Sequence, residues 1–182
     1  MTTARDPLAG RVDDLARIAQ VTDGGVVLEH VPFLAQVNLR LDPTLAGRAP
    51  YPLPVDPNTA WEDGPRAALW LGPDEWVILG PPHAGREIVA ELDAALDGSH
   101  RSVVDVSANR VAVEISGPRA KEILSKGCST DLHPSMWAPG MCAQTMLGKV
   151  QVVLHERADT TGIAVRTSFA NYLIDWFGAA TA

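Results

Sequence analysis

The chain has 182 residues, of which 46% are hydrophobic and 20% charged, and its formal net charge is −7. This length suits one domain with a substantial core. The excess of acids argues against a nucleic-acid partner, because contact with phosphates requires a basic surface. No apolar run is long enough to span a bilayer, and the opening "MTTARDPLAGRVDDLARIA" lacks the apolar core of a secretory signal. Composition therefore predicts a cytoplasmic globular protein that binds no membrane and keeps its two cysteines as thiols.

The first elements are a short helix and two strands. The spacing of apolar residues predicts a helix over Arg11–Gln20 and strands over Val26–Val31 and Ala35–Leu41. The second strand, "AQVNLRL", alternates strictly between apolar and polar residues. Such alternation is typical of a strand with one buried face.

A proline-rich stretch from Asp42 to Arg66 follows and holds six of the 14 prolines. Proline lacks an amide donor, so this stretch is neither an interior strand nor a long helix. Long loops in compact domains are uncommon and are often functional or held by a partner. The stretch carries Tyr51 and Trp61, and Trp137 lies in a later loop with proline and glycine. We therefore predict a subunit interface that includes Tyr51, Trp61 and Trp137.

The next segment predicts a hairpin followed by a helix. "AALWLGPDEWVILG" indicates strand Ala67–Leu71, a type I turn through Gly72–Glu75 and strand Trp76–Leu79. A helix is predicted over Ala84–Leu96, with Gly98 at its C-terminal stop.

The second half predicts further strands and two helices. A tight turn is expected at Gly148-Lys149 between two of the strands, and Ser168 is expected to cap the last helix. Gly127 is expected to stop the helix before it. The predicted elements are strands Ser102–Val106 and Arg110–Ile115 as a pair, helix Pro118–Lys126, strands on both sides of Gly148-Lys149, strand Gly162–Thr167 and helix Ser168–Phe177.

Two segments of the chain share one order of elements. "LWLGPDEWVILGPPHAGREIVAELDAAL" and "VVLHERADTTGIAVRTSFANYLIDWFGAA" both predict strand, polar hairpin, strand and helix. We interpret this as an internal duplication in an α+β fold, with mostly antiparallel sheets and packed helices. The whole chain, 1–182, is predicted as a single domain with first strands and proline-rich loop (about 1–66), a first hairpin–helix unit (67–98) and a second strand–helix region (101–182).

One short stretch contains residues that often carry chemistry. Cys128, Asp131 and His133 lie within six residues, and Cys142 and His155 follow. Their spacing matches no common zinc motif. A cysteine nucleophile would require a histidine oriented toward the thiol, whereas glycine, aspartate and proline here are typical of a chain leaving a helix. We therefore assign no catalytic, cofactor-binding or metal-binding residue.

Several blocks, in order, resemble the gamma subunit of heterotetrameric sarcosine oxidase. They are "LWLGPDEWVILGP", "DVSANRVAVEISGPRAKEILSKGCSTDLHP" and "PGMCAQTMLGKVQVVLHER…VRTSFANYLIDWF". The resemblance runs from about Trp70 to Phe177. More distantly, "DVSANRVAVEISGPRAKEIL" looks like a segment of the folate-binding aminomethyltransferase fold of the glycine-cleavage T-protein. That family carries an acid on the strand after its Gly-Gly turn, whereas Val150–Val153 here contains none.

The resemblance implies an accessory subunit without catalytic residues, within an oxidoreductase complex. That enzyme demethylates sarcosine oxidatively to glycine, with formaldehyde or methylene-tetrahydrofolate and hydrogen peroxide as products. It implies alpha, beta and delta subunits as partners, and it places FAD, FMN, NAD, zinc and tetrahydrofolate on those chains and no cofactor on this one. The alternatives are a stand-alone folate-binding one-carbon transferase and a folate-sensing regulatory module.

Overall fold

A computed structural model describes residues 6–182, which form two compact units. Unit 1 contains residues 6–32, 109–139 and 144–182, and unit 2 contains 33–108 and 140–143. The first five residues lie outside the described residues. They belong to the opening segment that was predicted not to be a secretory signal. The units interleave along the chain, and the single domain over 1–182 stays a prediction.

Four helices and ten strands make up the regular structure of the described residues. The helices are α1 Val12–Val21, α2 Gly85–Ala95, α3 Ala120–Ser125 and α4 Ala170–Ala180. The strands are β1 Val27–Val31, β2 Ala35–Leu41, β3 Ala60–Asp63, β4 Arg66–Gly72, β5 Glu75–Gly80, β6 Arg101–Asp105, β7 Arg110–Ser116, β8 Cys142–Leu147, β9 Val150–Glu156 and β10 Thr161–Arg166. Two 3₁₀ turns, Pro43–Arg48 and Thr167–Phe169, complete the assignment.

Unit 2 is built on a five-stranded sheet in the order β3-β4-β5-β2-β6. The pairs are antiparallel, and β2 sets Leu39 opposite Trp76 of β5. Both side chains are fully buried. Helix α2 contributes Ile88 and Leu92 to the same core, also with no exposed surface. The stripe on α2 and the alternating strand β2 thus bury their apolar faces together.

Unit 1 is built on a second sheet in the order β1-β7-β10-β9-β8. Val113 of β7 lies opposite Ile163 of β10 and opposite His30 of β1. Val113 is fully buried, and Ile163 is almost so. Helix α1 packs against β1 and α4. This sheet carries the core of unit 1.

The two sheets have the same internal order. In each, a meander of three consecutive strands (β3-β4-β5 and β8-β9-β10) is followed by the strand that precedes it in the chain (β2 and β7). The outer strand differs in origin, because β6 follows α2 whereas β1 comes from the N-terminal segment. The predicted α+β fold with two similar halves is confirmed.

Some predicted details are wrong. The strands β6 and β7 do not pair, because β6 adds to β2 in unit 2 while β7 lies between β1 and β10 in unit 1. Ser168 does not cap the last helix, since α4 begins at Ala170 after a 3₁₀ turn and has no side-chain cap. The proline-rich stretch, by contrast, contains a short strand, β3, at an edge of the unit 2 sheet, which agrees with the predicted exclusion of an interior strand.

The glycine after α3 serves a different purpose from the predicted one. Gly98 follows α2 with a φ of +74°, as expected for a helix stop. Gly127 does not adopt a positive φ. A Cβ at Gly127 would lie 2.5 Å from Cζ2 of Trp176. Gly127 is therefore required for close packing of Trp176 and not for its backbone conformation.

None of the helices formed by residues 6–182 combines the length and the apolar character needed to cross a membrane.

Candidate functional site

The stretch that suggested chemistry forms the exit from α3. The amide of Cys128 donates to the carbonyl of Leu124 at 2.9 Å. Oδ1 of Asp131 accepts a 2.9 Å bond from the amide of His133, and Nδ1 of His133 lies 2.7 Å from Oγ of Ser135. Asp131 and His133 thus stabilise a turn. Among residues 6–182, no group of three or more His, Cys, Asp or Glu is arranged to hold a metal ion.

The thiol of Cys142 is buried in unit 2. Its Sγ donates to the carbonyls of Thr59 at 3.2 Å and Trp70 at 3.3 Å. Burial raises the pKa of this thiol to about 12. Because the thiolate is the reactive form of cysteine, a thiol with this pKa is a poor nucleophile near neutral pH.

A buried carboxylate, that of Glu156, lies at the centre of a polar cluster in unit 1. Oε2 of Glu156 accepts bonds from Nε1 of Trp137 at 2.8 Å and from Oγ1 of Thr161 at 2.6 Å. Its Oε1 lies 2.7 Å from Nζ of Lys121. Glu156 is 4% exposed and Trp137 is 2% exposed. Three donors therefore compensate the carboxylate for its loss of water.

The cluster around Glu156 could not be predicted from the spacing of residues along the sequence. The expected strand after Gly148-Lys149 contained no acid over Val150–Val153, but β9 continues to Glu156. Glu156 lies 19 positions from Trp137, and no periodic pattern connects them. The one signal in the sequence was an acid at the end of a mostly apolar strand, where a buried carboxylate requires donors.

His155 precedes Glu156 and is also buried. It is 3% exposed, and burial, with a smaller contribution from Arg157, lowers its pKa to about 4. The imidazole is therefore neutral at physiological pH. Arg157 forms an ion pair with Glu114 on β7. The end of β9 thus concentrates polar groups that contact neighbouring elements of unit 1.

Two of the three aromatic residues predicted for an interface lie together in unit 2. The rings of Tyr51 and Trp61 are stacked, with centroids 5.9 Å apart and an interplanar angle of 9°. The guanidinium carbon of Arg66 lies 5.7 Å from the centroid of Tyr51. Arg66 also forms an ion pair with Glu91 at 3.3 Å. Tyr51 and Trp61 pack against the core of unit 2 and remain partly exposed.

Two donors in this aromatic group have no hydrogen-bond partner among the described residues. They are the hydroxyl of Tyr51 and Nη1 of Arg66, and both atoms are buried. Burial raises the pKa of the Tyr51 hydroxyl well above its usual value. Trp137, the third predicted interface residue, is 2% exposed and offers almost no side-chain surface to another chain.

The segment "DVS" at Asp105–Ser107 opens one of the sequence blocks that carry the family resemblance, and this signature has a structural role in unit 2. Oδ1 of Asp105 accepts from the amide of Ser107 at 3.0 Å and from its hydroxyl at 2.6 Å. Oγ of Ser107 in turn accepts from the amide of Gln36 on β2 at 3.0 Å. A Cβ at Gly85, the first residue of α2, would lie 2.3 Å from Oδ2 of Asp105. The signature therefore links β2, β6 and the start of α2.

The fold places the chain in a known structural class. It is similar to the glycine cleavage system aminomethyltransferase T from Bartonella henselae, with a TM-score of 0.65 and 13% identity over 90% of this chain and 48% of that one. At this identity the similarity concerns the fold alone. The chain thus has an aminomethyltransferase-like fold.

A family match and relatives with higher sequence identity show the family to which the chain belongs. The sarcosine oxidase, gamma subunit family matches residues 50–182. The sarcosine oxidase subunit gamma of an Arthrobacter species is 34% identical over 163 residues, which cover 85% of this chain and 79% of the relative. A chain of the heterotetrameric sarcosine oxidase from Corynebacterium sp. U-96, in complex with pyrrole 2-carboxylate, is 29% identical with a TM-score of 0.86, over 98% of this chain and 94% of that one. The chain belongs to the sarcosine oxidase gamma subunit family.

Proposed function

We propose that this chain is an accessory subunit of a heterotetrameric sarcosine oxidase and carries no catalytic residue of its own. The observation that carries the proposal is the similarity, along almost the whole chain, to a chain of such an enzyme from Corynebacterium. In this proposal the other subunits are alpha, beta and delta. They bind FAD, FMN, NAD, zinc and tetrahydrofolate and convert sarcosine to glycine, with formaldehyde or methylene-tetrahydrofolate and hydrogen peroxide as further products.

The side chains most capable of chemistry support the accessory role, because each has a structural contact. The Cys142 thiol donates to two backbone carbonyls. Glu156 accepts from Trp137 and Thr161 and pairs with Lys121. A base or nucleophile must be accessible to the substrate and in the reactive protonation state. Neither group meets both requirements.

A stand-alone folate-dependent one-carbon transferase is the main alternative from the fold. Its chemistry would require a carboxylate free to meet the amines of folate. On β9, Val150, Val152 and Val153 are buried apolar residues, and Glu156 is held by three donors. These residues do not fit such a role. A folate-sensing module has no supporting contact among the described residues.

The test is an assay of the isolated chain. Purified without other subunits, it should carry no flavin absorbance, oxidise no sarcosine and release no heat when titrated with tetrahydrofolate. Sarcosine turnover or bound flavin would contradict the accessory role. Tight tetrahydrofolate binding without turnover would favour the sensing module.

A further inference from the structure

Two methionine side chains lie on the surface of unit 1. Three of the four methionines in the sequence belong to the described residues. Met136 is 60% exposed and Met146 is 40% exposed, whereas Met141 is half-buried. Scattered apolar side chains on a surface are common, but a methionine also exposes a thioether, which peroxides oxidise. Met136 and Met146 therefore present oxidisable sulfur to the solvent.

The backbone around Met136 is held in place, so the exposure of its side chain is a property of the fold. The amide of Met136 donates to the carbonyl of His133 at 2.8 Å, and the amide of Trp137 donates to the same carbonyl at 2.9 Å. Leu132 is 5% exposed and Trp137 is 2% exposed. These buried neighbours anchor the loop and leave Met136 outside the core of unit 1.

Met146 is exposed because of its place on β8. Its carbonyl accepts a 3.2 Å bond from the amide of Ser129, and the next residue, Leu147, is fully buried. Successive side chains of a strand point to opposite faces. Met146 therefore shares the exposed face of β8 with Gln144.

The oxidation of a thioether by hydrogen peroxide requires no further group from the protein. The sulfur attacks one oxygen of the peroxide, an S–O bond forms and the O–O bond breaks. The hydroxyl proton on the transferred oxygen passes to the departing hydroxide, which leaves as water. Sulfur loses the two electrons that the peroxide gains, and the product is methionine sulfoxide. Access of peroxide to the sulfur is thus the main requirement on the structure.

We propose that Met136 and Met146 are oxidised to the sulfoxide by the hydrogen peroxide that the oxidase produces. The inference rests on the proposed function, which supplies peroxide within the complex. It adds a covalent modification of this chain and the positions at which it occurs. Neither side chain belongs to the buried core, so the more polar sulfoxides leave the packing of unit 1 unchanged.

The first test is peptide mass spectrometry of the coexpressed complex after turnover with sarcosine. Met136 and Met146 should each gain about 16 Da, the mass of one oxygen atom. Met136, which is more exposed, should be modified faster than Met146, and Met141 more slowly than either. Catalase added during turnover should prevent the modification, because it removes the oxidant.

The second test removes the sulfur and keeps an apolar side chain of similar size. Met136→Leu and Met146→Leu should each lose the modification at the substituted position alone, and both should assemble and oxidise sarcosine like the wild type. Met141→Leu is the matched control and should leave the modification at the other two positions unchanged. The isolated wild-type chain should melt at the same temperature before and after oxidation by added hydrogen peroxide.

The outcomes separate the two proposals. Unmodified Met136 and Met146 after sustained turnover overturn the oxidation sites and leave the proposed function intact. Faster oxidation of Met141 than of Met136 and Met146 also overturns them. A wild-type chain that assembles with no flavin-bearing subunit overturns the proposed function, and with it the source of the peroxide.

Discussion

The indole nitrogen of Trp137 donates a 2.8 Å hydrogen bond to Oε2 of Glu156, and both side chains are almost completely buried. The contact joins the loop after α3 to the end of β9. An unpaired buried carboxylate is unfavourable, so the donors of Glu156 are important for the stability of unit 1.

Trp137→Phe tests this contact directly. Removing the indole N–H leaves Glu156 with one donor fewer, and the free energy of unfolding should fall by about 2 kcal/mol. Urea unfolding measures the change. Met136→Ala is the control, because Met136 is the neighbouring residue and is 60% exposed; it should change stability by less than about 0.5 kcal/mol. Equal stability of Trp137→Phe and the wild type would mean that the bond contributes nothing.

His155 should make stability depend on pH. Its pKa is about 4 in the folded chain, against 6.5 as the reference value. Between these values the unfolded chain binds more protons than the folded chain. The contribution of His155 to the free energy of unfolding is therefore complete above about pH 6.5 and decreases as pH falls toward 4. The loss should be at most about 3 kcal/mol.

The measurement compares urea unfolding at about pH 7.5 and about pH 5. His155→Gln removes the titrating group and should flatten the profile, whatever its effect on stability at neutral pH. An unchanged slope in His155→Gln would assign the pH dependence to other groups.

Two glycine substitutions should have opposite effects. Gly127→Ala forces a methyl group against Trp176 and should destabilise unit 1 by about 2 kcal/mol. Gly178 lies within α4 with open space around the position of a Cβ. Gly178→Ala should therefore stabilise the helix by about 0.5–1 kcal/mol. Thermal melts of the two variants measure these changes in stability. A stabilising effect of Gly127→Ala would show that Trp176 does not pack against Gly127 as described.

Tyr51→Phe should leave stability unchanged or raise it by up to about 1 kcal/mol. The Tyr51 hydroxyl is buried without a hydrogen-bond partner among the described residues, so its removal eliminates an unfavourable group and retains the ring on Trp61. Denaturant unfolding provides the comparison. A loss of more than about 1 kcal/mol would indicate that the hydroxyl makes a stabilising bond.

The cysteines should differ in reactivity. Cys142 is fully buried with a raised pKa, whereas Cys128 is partly exposed. Mass spectrometry after alkylation of the native chain should find Cys142 unmodified until denaturant is added. Cys128→Ser should assemble with unchanged complex activity. A large loss of activity in a folded Cys128→Ser variant would return the α3 exit to consideration as an active site.

Local pattern was sufficient to predict single elements and their buried faces. Strand β2 has the predicted bounds, and its apolar face is buried throughout. Val111, Val113 and Ile115 on β7 likewise share a buried face. Alternation identifies a strand with one buried face but not the sheet to which it belongs, so the separation of β6 and β7 into different units was not predictable.

The polar contacts were less predictable for a physical reason. Glu156 is stabilised by donors from α3, from the loop that contains Trp137 and from β10, which come together only when unit 1 folds. Trp61 and Tyr51 were identified because aromatic residues in a proline-rich stretch require cover. Their stacking on each other depends on the return of β3 along β4.

The most direct test of the accessory-subunit account is coexpression of the chain with the other subunits of a heterotetrameric sarcosine oxidase, followed by size-exclusion chromatography with flavin absorbance. The account predicts that the chain elutes in one peak with the flavin-bearing subunits and with sarcosine-oxidising activity, and elutes separately without flavin when expressed alone. Elution apart from the flavin peak after coexpression, or flavin and activity on the isolated chain, would contradict it.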